Sequence, residues 1–233
     1  MEAGLDLIKM HIGGTYMQRS WQFISLLLIS IMTLTGCQST YYSAMEKIGF
    51  EKRDILYSRV KDAKESQKDA QKEFESAYEE FSALINFDGG DLEKTYNRLK
   101  KRYDNAVETA ENVTEKRQKV ESVGKALFNE WSDEIELYSN QTLKQRSQNQ
   151  LRATQAQFAR LVSHLKNAES KIQPVLSPFQ DRVLFLKHNL NAQAVNAMKQ
   201  DNIQMQRNIR SLITDMQAAI KEADDFIATM DQQ

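Results

Sequence analysis

Asn86-Phe87-Asp88-Gly89-Gly90-Asp91 separates two long stretches of the same periodicity, and its reading decides the fold. Paired glycines permit positive φ and a tight reversal, and Asp91 stands where a following helix needs a cap. Upstream, Leu56, Val60, Ala63, Gln67, Ala70, Phe74, Ala77, Phe81 and Leu84 step by four and three without a slip. That is the seam of a coiled-coil-like helix. Downstream, Leu92, Tyr96, Leu99, Tyr103, Ala106, Ala110, Val113, Arg117, Val120, Gly124, Leu127 and Trp131 repeat the pattern. Folding the chain at Asp88–Gly89 sets Phe81 opposite Tyr96, Phe74 opposite Tyr103 and Ala70 near Ala106. Large residues meet near the turn and small ones farther along, which predicts an antiparallel helical hairpin. Gln67 and Arg117 interrupt the seams with polar groups suited to fixing register. Asp-Gly-Gly-Asp lacks the alternating oxygen ligands and distal glutamate of a calcium loop, so it reads as a plain turn.

Past Trp131 the seam runs through Ile135 and Tyr138, weakens over residues 139–142, and resumes at Leu151, Thr154, Phe158, Leu161, Leu165, Ala168 and Ile172. Leu143, Ser147 and Leu151 step by four and four, as a stutter in one helix would. No Gly or Pro interrupts residues 125–173. The expectation is one continuous second helix over 91–173, with a break near Asn140 and four helices as the alternative. Unbroken, that helix would be on the order of 120 Å long. Pro174 ends it. Ser177-Pro178-Phe179-Gln180 then resembles a capped restart, followed by a last helix over 178–230 with its seam at Met205, Ile209, Leu212, Met216, Ala219, Ala223, Phe226 and Met230. Residues 183–190 are apolar on more than one face, which predicts wrapping by both other helices. The predicted fold is all-α: an elongated antiparallel bundle of three long helices, about 44–86, 91–173 and 178–230, in one domain over 46–230.

Composition agrees. The 233 residues are 41% hydrophobic and 27% charged, with 8 Gly and 2 Pro, a balance that favours helix over sheet. A net charge of −1 gives no basic excess for nucleic acid. The one cysteine, Cys37, permits no internal disulfide.

Cys37 closes Leu34-Thr35-Gly36-Cys37, after an apolar run of roughly 14 residues from Trp21, shorter than the ~20 that span a bilayer. This reads as a lipoprotein signal over 17–36, cleaved between Gly36 and Cys37, with a retained membrane anchor as the lesser alternative. Arg19 supplies the basic start, whereas Glu2 and Asp6 do not suit one. The codons of residues 12–15 can spell a ribosome-binding site ahead of Met17, so residues 1–16 read as a mis-assigned start. A diacylglycerol on the Cys37 sulfur and an acyl chain on its amine would give a stable anchor, as two or more chains do. Gln38 in place of Asp favours the outer membrane, facing the periplasm. Residues 37–45 form a tether in which Tyr41 and Tyr42 suit helix-start packing or a membrane interface.

No reactive constellation follows. There is no phosphate-binding G-x-x-x-x-G-K-[ST]. His164 and His188 lack partner ligands, and Glu130, Asp133, Glu134 and Glu136 read as a solvated helix face. No catalytic residue, metal ligand or cofactor is expected beyond the lipid on Cys37. Trp131 reads first as a core anchor and second as a partner-facing residue. Asn140 and Lys187-His188-Asn189 are candidates for a partner surface.

Several separated segments carry a resemblance: residues 37–49, Lys52-Arg53-Asp54-Ile55-Leu56, residues 86–90, Leu127-Phe128-Asn129-Glu130-Trp131, residues 138–140 and residues 183–192. Together they resemble a gammaproteobacterial family filed as a domain of unknown function, DUF2959, over 37–230. The resemblance implies an envelope lipoprotein with a helical body and no assigned activity, cofactor or partner. The expected role is that of a non-enzymatic scaffold or adaptor rod, with a binding module for peptidoglycan or an envelope protein complex as the alternative. Self-association through uncovered seam residues is also expected.

Overall fold

The computed structural model describes residues 51–231. The predicted signal, the cleavage site at Gly36 and Cys37, and the tether lie outside the described residues. The described helices are α1 (Lys52–Ile85), α2 (Leu92–Glu136), α3 (Gln141–Ser170), α4 (Ile172–His188), α5 (Ala192–Ala197) and α6 (Asn202–Asp231), with a 3₁₀ turn at Met198–Asp201. Among the described residues there is no strand.

The hairpin forms as its spacing predicts. Every seam residue of α1 from Leu56 to Leu84 is buried. The turn has φ of +149° at Gly89 and +104° at Gly90, values that only glycine adopts without strain. Asp91 caps α2, its carboxylate accepting from the Lys94 amide at 2.9 Å. Register is visible in the ion pairs along the hairpin. Glu80 meets Arg98 at 3.1 Å, Glu73 meets Arg102 at 3.4 Å, Asp62 meets Lys116 at 3.8 Å and Lys52 meets Glu130 at 2.8 Å. The numbers fall in α1 as they rise in α2, which is the antiparallel pairing the two seams require.

The second helix is not continuous. α2 stops at Glu136, the chain reverses over residues 137–140, and α3 returns along α2. The last α2 turn tightens, with the Leu137 amide donating to the Glu134 carbonyl at 3.0 Å. Asn140 then starts α3, its side-chain oxygen accepting from the Thr142 and Leu143 amides at 2.9 and 3.1 Å. A helix needs neither glycine nor proline to end when a side chain satisfies the next helix's orphan donors. The gain is burial: an extended helix would carry Leu151, Leu161, Leu165 and Ala168 away from the bundle, and the reversal buries them all. Ile135 is buried at the end of the α2 seam, whereas Tyr138, expected on it, is exposed. Replacing Asn140 with alanine is expected to cost about 1 kcal/mol, the usual loss for such a cap, read as a lower urea midpoint at unchanged slope. An unchanged midpoint would show that the reversal does not depend on this cap.

Pro174 acts one turn upstream of itself. It lacks an N–H for the Ser170 carbonyl and its ring opposes that group, so the helix breaks at Lys171 and resumes at Ile172. The expected restart at Ser177-Pro178 does not occur, and Pro178 lies inside α4. Its missing donor leaves the Pro174 carbonyl open, and the Asn208 side chain of α6 donates to that carbonyl at 3.3 Å. The expected single last helix is also divided. Asn189 closes α4, its side-chain amide donating to the Phe185 carbonyl at 3.0 Å, and Asn191 caps α5 by accepting from the Ala194 amide at 3.0 Å.

α6 runs antiparallel to α1, with Lys64 meeting Asp224 at 2.9 Å and Arg53 donating to the Met230 carbonyl. It is antiparallel to α3 as well, with Arg160 meeting Glu222 at 3.3 Å and Phe158 against Phe226. Its eight seam residues are all buried. The body is thus an elongated up-down-up-down bundle of four legs, α1, α2, α3–α4 and α5–α6, which is the alternative with a break near Asn140 rather than three long helices.

Candidate functional site

The side chains singled out in the sequence fall at two ends of the bundle, with a charged station between them. At one end, α2 and α3 pack through Phe128, Ile135 and Leu151, flanked by Leu127, Trp131 and Phe158. Trp131 is half-buried, and its indole N–H donates to the Ser147 hydroxyl at 2.9 Å. Asn140 is exposed and committed to capping. At the other end, Lys187 and His188 are exposed in the last turn of α4, and Asn189 is held by its own helix. Phe179 of α4 touches Tyr103 of α2 at 5.7 Å between centroids. Tyr103 stands 28 residues before Trp131, so about 42 Å of helix separates the level of Phe179 from that of Trp131, and Lys187 lies farther still along α4. Trp131 and Asn140 share one hairpin; Lys187, His188 and Asn189 do not join them.

Between these ends, Arg117 is the polar seam residue that fixes α2 against α3. Its guanidinium meets Glu121 at 2.6 Å and also pairs with Glu169, which accepts from the Thr114 hydroxyl at 2.9 Å. Lys166 joins Glu121 at 3.1 Å. Burial works against charge on Arg117, but the hydrogen bonds to Glu169 and Glu121 outweigh it and hold the guanidinium above its ordinary range. Burial likewise favours the neutral form of Glu121, yet Arg117 and Lys166 pull its carboxyl below the usual value. A shallow groove of about 490 Å³ runs beside this network, past Val107, Ala110, Glu111 and Leu176. The other polar seam residue, Gln67, is 1% exposed, and its side-chain oxygen has no hydrogen-bond partner among the described residues.

Among the described residues, no group of His, Cys, Asp and Glu could hold a metal ion. Among them, too, no helix is long and apolar enough to cross a membrane. The exposed apolar residues are the part that sequence reasoning misses. Leu184 and Phe185, expected to be wrapped, are 51% and 44% exposed, and Leu137 at the α2–α3 turn is 82% exposed. Periodicity marks Leu137 as lying off the seam, and nothing local marks the other two.

A family model matches the chain over residues 41–230, and its description is Protein of unknown function (DUF2959). The chain belongs to that family. The match takes in the whole described body but its last residue, so the four-legged bundle is the DUF2959 fold in this chain. No curated protein matches it.

Proposed function

We propose that this DUF2959 chain is a lipid-anchored, non-enzymatic rod of the bacterial envelope, held through Cys37 in the outer membrane and facing the periplasm, where it spaces or adapts another envelope component. The observation that carries this reading is the joining of Leu34-Thr35-Gly36-Cys37 to a body whose polar side chains serve its own architecture. Asn140, Asn189 and Asn191 cap helices, Arg117 and Glu169 bind α2 to α3, and Asn208 repairs a proline. Such a bundle supplies reach: the 45 residues of α2 correspond to about 68 Å. That is roughly half the length a continuous 91–173 helix would give, and still longer than a typical globular domain is wide.

Metabolic labelling with palmitate tests the anchor: label is expected on the wild-type chain and absent from Cys37→Ala. Label retained by Cys37→Ala would sink the anchor. In the same cells, photo-crosslinkers at positions 140 and 188 test the adaptor role. A discrete protein adduct is expected from one of them, whereas adducts only to the chain itself would leave a spacer. A second reading, as a peptidoglycan-binding module, is favoured by the exposed Lys187 and His188 at one end. Co-sedimentation with purified sacculi, lost in Lys187→Ala/His188→Ala, would replace the adaptor reading with this one.

A further inference from the structure

Six large apolar side chains are exposed among the described residues, and three of them crowd one turn: Leu137 at 82%, Tyr138 at 41% and Leu143 at 48%. They sit at the apex of the α2–α3 hairpin. Among the described residues the tip also overhangs. α1 begins at Lys52, level with Glu130, and α6 ends beside it, where Arg53 reaches the Met230 carbonyl. From Glu130 to Leu137 the hairpin continues for about 10 Å beyond that level. The chain comes into the bundle at this same end, because Lys52 is the first residue of α1. Only residues 38–51 separate it from Cys37, a tether of at most about 50 Å when fully extended.

The geometry points to a second membrane contact: the α2–α3 turn, through Leu137, Tyr138 and Leu143, rests in the headgroup layer of the phospholipid surface that holds Cys37. This rests on the lipid-anchor reading. The tip carries both signs of charge, with Asp133, Glu134 and Glu136 on one helix of the hairpin and Lys144 and Arg146 on the other, and the Glu136–Lys144 pair closes at 2.7 Å, which suits a zwitterionic surface. Tyr138 carries an apolar ring with a polar end, the form that favours the interface. Ser139 and Asn140 keep the turn from going deeper. Three side chains are too few to bind a membrane alone; with the acyl chains on Cys37 already holding the protein, their part is to set the bundle's orientation at the surface. A tether of this length holds the tip near the surface at an effective concentration in roughly the millimolar range.

The test uses the processed, full-length protein in phosphatidylcholine vesicles, with Ser139→Cys carrying a polarity-sensitive fluorophore and Asp88→Cys, at the glycine turn, as reference. With the tip docked, emission at 139 shifts to the blue and brightens about twofold or more over that at 88, and Leu137→Ser/Leu143→Ser abolishes the difference. Vesicles that float the protein while both labels report water would overturn the tip contact and leave the anchor standing. The tip contact is likewise overturned if both labels shift alike, or if the double serine variant changes nothing. Protein that fails to float with the vesicles would overturn the anchor, and the tip contact with it.

Discussion

Phe179→Ala is expected to lose about 3–5 kcal/mol of folding stability, the range for removing a buried phenylalanine. The ring is fully buried and lies where three legs of the bundle meet. It stands edge-on to Phe81 of α1 at 5.8 Å and to Tyr103 of α2 at 5.7 Å. Such edge-to-face pairs add to the burial of the ring itself. Burial there, followed by the charges of Asp104 and Asp181, also pushes the Tyr103 hydroxyl above its usual range. Removing Phe179 opens a cavity under α4, a helix already interrupted by Pro178 and therefore dependent on packing. Domains of this size have about 5–15 kcal/mol in total, so a fifth or more of the margin goes with one side chain. At about 2–4 °C per kcal/mol for 150–250 residues, the melting temperature should fall by roughly 6–20 °C. Phe185, six residues along the same helix and 44% exposed, is the control. Phe185→Ala should stay within about 0.5 kcal/mol. Thermal unfolding that affects both variants equally would show that α4 is not pinned at Phe179.

The contrast between these two phenylalanines marks how far the sequence can be read. Step-four-and-three spacing locates the seams, and Leu56 to Leu84 and Met205 to Met230 are buried as that spacing requires. Paired glycines locate the first turn for a local reason, since few other residues take their φ values. The second turn has an equally local signal in Asn140, whose side-chain oxygen replaces backbone acceptors. Against it stands only the absence of Gly and Pro, which is weak evidence for continuity. Asn191 repeats the lesson at α5. Pro178 differs: its tolerance inside α4 depends on Asn208, 34 residues beyond the Pro174 carbonyl it satisfies. No local pattern carries that. Exposure has the same character, because whether Phe185 is wrapped or open depends on which leg lies over it. Of the candidate site residues, Asn140 and Asn189 are legible as unusual, but helix capping accounts for both. Trp131 is legible as an anchor, and its bond to Ser147 requires the reversal that a continuous helix would deny.

Gly124 sets how closely α2 and α3 approach, and its substitution should produce the second large effect. A Cβ at this position would lie 2.2 Å from Cζ of Phe158 and 2.6 and 2.8 Å from its two Cε atoms. Helix propensity alone favours alanine over glycine by about 1 kcal/mol, so two effects of opposite sign compete. The clash wins because the Phe158 ring has little freedom to swing. It meets Phe128 edge-on at 5.2 Å and leans on Phe226 at 5.9 Å, so moving it disturbs α2, α3 and α6 together. Overpacking of this kind costs about 1–3 kcal/mol, occasionally more. Gly124→Ala should therefore lose up to about 2 kcal/mol net, and Gly124→Val, with its stiff branched side chain, about 2–4 kcal/mol. The cause is checked by a double-mutant cycle. Phe158→Leu alone should destabilise, yet combined with Gly124→Ala it should recover part of the loss, with a favourable coupling of about 0.5–3 kcal/mol. Additive losses would place the strain somewhere other than this contact. A Gly124→Ala variant more stable than wild type would mean that the ring yields freely and propensity decides, leaving the α2–α3 spacing set by the Arg117–Glu169 pair instead.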